Sequence, residues 1–93
     1  MPEYVIEREV PRAGQLTEEQ VRAISMKSVE VLGQLGSSIR WVHSYVTDDK
    51  VYCVYFSTDE RLIREHARLV GVPANRVSAV RRMMGPGDAR QEA

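Results

Sequence analysis

Apolar and polar side chains alternate along Glu3-Tyr4-Val5-Ile6-Glu7-Arg8-Glu9, and this period of two predicts a first strand over residues 3–9. Pro11 ends it, because proline has no N–H to give a ladder. Past a loop containing Gly14 the period lengthens. Val21, Ile24, Ser28, Val31, Leu32 and Leu35 recur at spacings of three and four, the single apolar stripe of a helix. Thr17 and Gln20 fit a capping box at its start, Leu16 and Val21 fit a hydrophobic staple, and Gly33 and Gly36 offer left-handed stops. Residues 38–47 and 50–57 return to strand character around the short turn Asp48-Asp49. A second helix is expected from Thr58 or Asp59, with Leu62, Ile63, His66, Ala67 and Val70 on one side and Gly71-Val72-Pro73 as its stop. Residues 76–84 read as a last strand.

The order β-α-β-β-α-β predicts an α+β ferredoxin-like sandwich, a four-stranded antiparallel sheet with both helices on one face. One domain over residues 1–84 is expected, followed by a flexible tail of Gly, Pro and charge over 85–93. A symmetric hairpin would set Tyr45 opposite Tyr52, His43 opposite Val54 and Trp41 opposite Phe56, all six on one face. Val42, Ser44, Val46, Val51, Cys53 and Tyr55 would share the other. Both faces are rather apolar. The helices cover one, so a second copy of the chain is expected to cover the other, giving a homodimer.

Charge narrows the function classes. Thirteen Lys and Arg balance thirteen Asp and Glu, which argues against a nucleic-acid binder, whose affinity comes from neutralising phosphates. No apolar run approaches the roughly 20 residues that span a bilayer, and the opening MPEYVIEREV lacks the pattern of a secretory signal. The lone Cys53 permits no intrachain disulfide and fits a reducing compartment, so a cytoplasmic location is expected.

Catalytic signals are weak. Pro11-Arg12-Ala13-Gly14-Gln15 has one glycine and one arginine, more simply an ordinary loop than a phosphate cradle. Cys53 and His43 stand on neighbouring strands, but the symmetric register sends them to opposite faces, against a nucleophile–base pair. Tyr52, Tyr55 and Phe56 only faintly mimic an RNA-recognition sheet, and packing explains them better. A non-enzymatic protein is the simpler reading. Among polar residues the histidines carry most chemistry: His43 in an aromatic strand and His66 on the second helix beside Glu65. Neutral imidazole suits nickel, zinc and copper, yet two histidines do not close a site; carboxylate, Cys53, water or a second chain must complete it. The Asp48-Asp49 turn is more simply a turn than a cation site.

The stretch from Trp41 to Lys50 running into Tyr52-Cys53-Val54-Tyr55, together with Arg64-Glu65-His66-Ala67-Arg68, Gly71-Val72-Pro73-Ala74 and Tyr4-Val5-Ile6-Glu7-Arg8, resembles a family of small bacterial nickel-binding, nickel-responsive proteins. The resemblance runs from about Tyr4 to Met84. It implies the ferredoxin-like fold, a homodimer, and Ni²⁺ held at surface sites of that dimer, with His43, His66, Glu65 and Cys53 as the candidate ligands. The family often carries an aromatic where this chain has Val72. The alternative is a small-molecule binding protein or enzyme of the dimeric α+β barrel type, with Trp41, Tyr45, Tyr52, Tyr55 and Phe56 lining a pocket of several hundred Å³.

Overall fold

The computed structural model describes residues 1–90. Its elements are β1 (Glu3–Glu9), α1 (Glu18–Leu35), β2 (Ile39–Val46), β3 (Lys50–Ser57), α2 (Glu60–Val70) and β4 (Arg76–Ala79), with single 3-10 turns at Ala13–Gln15 and Pro86–Ala89. The strands form one antiparallel sheet in the order β2-β3-β1-β4, the ferredoxin-like α+β arrangement.

Local chemistry sets the helix ends where the sequence places them. The Thr17 side chain accepts from the Gln20 N–H, and the Gln20 side chain accepts from the Thr17 N–H, so two donors of the first turn of α1 are satisfied reciprocally. Asp59 accepts from the Leu62 N–H at the start of α2. Gly71 closes α2 in the left-handed region, at φ 88° and ψ 30°.

The period-two pattern of β1 sends Tyr4, Ile6 and Arg8 inward. There Tyr4 and Ile6 join Ile39, Cys53, Tyr55 and Ile63 in the core, with Leu32 and Leu35 of α1 and Leu62 of α2 packed against it. Both helices therefore cover the same face of the sheet. The cover is uneven. The second half of α1 buries Ser28 and Val31, whereas Val21 and Ile24 in its first half remain 40% and 41% exposed, although they lie on the same stripe.

Two strand expectations need correction. β4 is four residues long rather than nine. It pairs with Tyr4–Glu7 of β1, the Val80 N–H adds one bond to the Glu3 carbonyl, and Pro2 before it has no N–H to give and accepts from the Ser57 N–H of β3 instead. Residues 81–84 therefore form no strand. Of the expected tail, residues 86–89 form a turn and residues 91–93 lie outside the described residues.

The hairpin is also asymmetric. His43 faces Val54 and Tyr45 faces Tyr52 as expected, but Trp41 faces Tyr55 and Arg40 takes the place opposite Phe56. Val42 is the extra residue of a β-bulge, and from there to Ile39 the parity of β2 is reversed. Trp41 consequently turns to the helix side. The open face carries His43, Tyr45, Tyr52, Val54 and Phe56, with Arg40 lying 5.6 Å from the Phe56 ring centre.

The hairpin turn is tied to the 3-10 turn after β1. The Gly14 N–H donates to the Asp48 carbonyl and the Arg12 N–H donates to the Asp49 carboxylate. A Cβ at Gly14 would lie 3.1 Å from the Asp48 Cα, so a side chain there would push the hairpin turn away by a few tenths of an ångström. The acidic pair is occupied in turn geometry.

Candidate functional site

A cavity of about 370 Å³ lies between the first half of α1 and the sheet, where Val21 and Ile24 stand off from the strands. Leu16, Val21 and Ile24 form its roof, Val46 and Val51 one wall, and the Val70–Pro73 turn another. Arg8, Ser28, Trp41, Ser44, Cys53, Tyr55 and His66 supply its polar groups.

These groups form two short hydrogen-bonded chains. On the sheet side the Trp41 indole N–H donates to Ser44 Oγ at 2.9 Å, and Ser44 Oγ–H donates to Cys53 Sγ at 3.0 Å. The bulge makes the first of these bonds possible: in an unbroken strand, residues three apart point to opposite faces. Arg8 joins from β1. Its Nε donates to Cys53 Sγ at 3.3 Å and its Nη1 to the Pro73 carbonyl at 2.6 Å, so the guanidinium clips the turn after α2 to the sheet. The second chain is between helices. Ser28 Oγ of α1 and His66 Nε2 of α2 share a hydrogen bond of 3.0 Å, and the imidazole lies tilted on the Tyr55 ring with centres 5.3 Å apart. His66 Nδ1 is buried without a partner.

Electrostatics follow from burial. Arg8 is 3% exposed and no carboxylate among the described residues lies within ion-pair distance of it. Desolvation, and to a smaller extent the Arg8 charge, hold the His66 imidazole below its ordinary pKa and favour its neutral form, which the Ser28 backbone, acting as a hydrogen-bond partner, partly opposes. Burial pushes the Tyr55 phenol up, with nearby Cys53 adding to the rise and Arg8 working against it. The phenol stays protonated.

The four candidate metal ligands occupy three separate surroundings. Cys53 and His66 line the cavity. His43 is exposed on the open face of the sheet, edge-on to Tyr45 at 4.9 Å. Glu65 lies on the outer side of α2, where its carboxylate accepts two hydrogen bonds from Arg68; these hold its pKa below the usual carboxylate range. Among the described residues no three His, Cys, Asp or Glu side chains gather where one metal ion would touch them all. The five aromatics also divide: Trp41 and Tyr55 line the cavity, whereas Tyr45, Tyr52 and Phe56 belong to the open face.

Arg8, Ser28 and Ser44 were absent from the candidates, yet the sequence marks two of them. Arg8 shares the parity of Tyr4 and Ile6, so an inward charge follows from the strand pattern, and Ser28 interrupts the apolar stripe of α1.

No helix among the described residues is long and apolar enough to cross a membrane. No curated protein matches the chain. Among solved structures it is similar to the crystal structure of SCO4226 from Streptomyces coelicolor A3(2), with a TM-score of 0.74 and 10% sequence identity over 88% of this chain and 99% of that one. At that identity the likeness establishes the fold. The family described as nickel responsive protein SCO4226-like matches residues 4–80. With most of its length matched, the chain belongs to the SCO4226-like family of nickel responsive proteins.

Proposed function

We propose that this protein is a non-enzymatic nickel-binding protein of the cytoplasm, and that it holds Ni²⁺ at His43-centred surface sites of a homodimer. The observation that carries this reading is membership of a nickel responsive family across residues 4–80. Direct binding of the ion is the simplest way for a protein to respond to it, and a response by conformation would require different affinities in two states. Of the four candidate ligands, His43 is the one whose imidazole is open to solvent and, among the described residues, hydrogen-bonded to no side chain, whereas Glu65 is engaged by Arg68. Neutral imidazole is a good nickel donor, and nitrogen and oxygen ligands together suit this ion.

The dimer is supported by the open face. Tyr45 is 60% exposed in the single chain, and Val5, Tyr52, Val54 and Phe56 are half-buried beside it with no helix above them. Because β2 is an edge strand, His43 stands at the rim of any pairing made through this face. A carboxylate, imidazole or water from the second copy would complete the coordination there.

Calorimetric titration of NiCl₂ into chelator-treated protein tests the reading on the wild type, His43→Ala and His66→Ala. Loss of about tenfold or more in affinity is expected for His43→Ala. Unchanged affinity in both variants rejects histidine-centred binding. Sedimentation as a single chain at micromolar concentration rejects the dimer.

A further inference from the structure

Arg8 is a buried cation with poor compensation. Its partners are a neutral carbonyl, a sulfur, which is a weak acceptor, and the oxygen of the nearby Tyr55 phenol, and none of them carries a charge. A buried charge is normally retained where an opposite charge meets it. None of the carboxylates of the described residues does so, and the space beside Arg8 is the cavity. Close to Arg8, His66 adds a buried Nδ1 without a partner. That atom has almost no accessible surface, so it does not open onto the cavity, and the polar end of the site is set by Arg8. The remainder of the lining is hydrocarbon: Val21, Ile24, Val46, Val51 and Val72. One end of the cavity therefore asks for a single negative charge and the rest for an apolar body.

The geometry points to a binding site for a small apolar monocarboxylate, its carboxylate on the Arg8 guanidinium and its hydrocarbon under the first half of α1. A guanidinium fork matches a planar carboxylate in shape. One cation balances a monoanion, whereas a phosphate dianion would carry an uncompensated charge into an apolar chamber. Size restricts the class further. At about 30 Å³ for each water molecule, 370 Å³ holds about a dozen, which corresponds to a medium-chain or short aryl acid rather than a long fatty acid. Val21, Ile24 and Val46 both line the cavity and reach solvent, so they form its mouth. The Arg8 charge is felt across the site: after burial, it is the next cause depressing the His66 pKa, and it opposes the rise at Tyr55. This inference goes beyond the nickel reading and does not depend on it.

Calorimetry or ligand-observed NMR with octanoate, 1-octanol and octylammonium tests it, all in the presence of a chelator so that no metal takes part. Octanoate is expected to bind the wild type about tenfold or more tightly than octanol, with octylammonium weakest. Arg8→Gln should remove the preference for octanoate and leave octanol binding within about threefold. Ile24→Trp, which fills the mouth without touching Arg8, should weaken octanoate and octanol together. Circular dichroism and thermal unfolding establish that each variant is folded. Equal affinity of the wild type for octanoate and octanol, no octanoate binding at millimolar concentration, or unchanged octanoate binding in Ile24→Trp overturns the proposal. Should Arg8→Gln fail to fold, the comparison of the three ligands on the wild type and on Ile24→Trp decides it.

Discussion

Protonation of His66 should make the fold acid-sensitive through one identifiable group. The imidazole is 1% exposed, hydrogen-bonded to Ser28 and stacked near Tyr55, and its pKa is depressed in the folded chain, by burial first and by the Arg8 charge second. In the unfolded chain the same group titrates near the ordinary value of about 6.5. Below that pH the unfolded state binds a proton that the folded state resists, so stability falls as the pH drops, and the fall levels off below the folded pKa. The slope cannot exceed one proton, about 1.4 kcal/mol per pH unit. Between about pH 7.5 and pH 5.5 His66 therefore contributes a loss of up to about 1.4 kcal/mol, a large part of a net stability of about 5–15 kcal/mol. At a urea dependence of about 1–2 kcal/mol per molar, the midpoint falls by up to about 0.7–1.4 M. The assay is urea unfolding followed by Trp41 fluorescence, with metal chelated and protein concentration fixed because self-association would shift the midpoint. His66→Gln is the comparison, since its amide reaches toward Ser28 and does not titrate. Other groups titrate in both proteins and cancel in the difference. The variant should be less stable at neutral pH through lost packing, and its stability should fall less on acidification. Equal slopes in the two proteins would refute the assignment.

Three further outcomes follow from single positions. Ile63 is fully buried in the core cluster, so Ile63→Ala should cost about 2–5 kcal/mol in urea unfolding; a loss below about 1 kcal/mol would mean that the core around α2 is not packed as described. Gly71 lies at φ 88° with open space around its Cα, so Gly71→Ala should cost about 1–2 kcal/mol through backbone strain alone, and Gly71→Asn less. Deletion of Val42 should be tolerated within about 1 kcal/mol, because the ladder becomes regular and Ile39, Trp41, His43 and Ser44 all keep their faces. Trp41 fluorescence should then stay unchanged, and a large red shift would show that the bulge does more than insert one residue.

Much of the fold is written in short-range pattern. The switch from a period of two to a period near 3.6 and back locates five of the six elements, and the capping chemistry of Thr17, Gln20, Asp59 and Gly71 fixes helix ends that depend on neighbours within a few residues. The length of β4 is not local. Arg76-Val77-Ser78-Ala79-Val80 and the residues after it look equally able to extend, and the difference is that the ladder to β1 ends at Glu3, before Pro2, which has no N–H and whose carbonyl accepts from Ser57. The bulge is equally silent. Trp41 and Val42 are both suited to a strand, so either residue fits the inward position, and only pairing with Tyr55 selects Trp41.

The candidate site divides along the same line. Residue chemistry drew attention to His43, Cys53, Glu65 and His66, and alternation within each strand correctly separates His43 from Cys53. The sequence by itself determined the element order, the inward parity of Arg8 and the polar break at Ser28, because these depend on neighbours along the chain. Only the tertiary structure decided that the first half of α1 stands away from the sheet, that Arg8 meets Cys53 and the turn at Pro73, and that His66 reaches Ser28 of the other helix. Those contacts join residues 38 to 65 positions apart, and cavity volume depends on how whole elements seat on one another, which no local periodicity encodes.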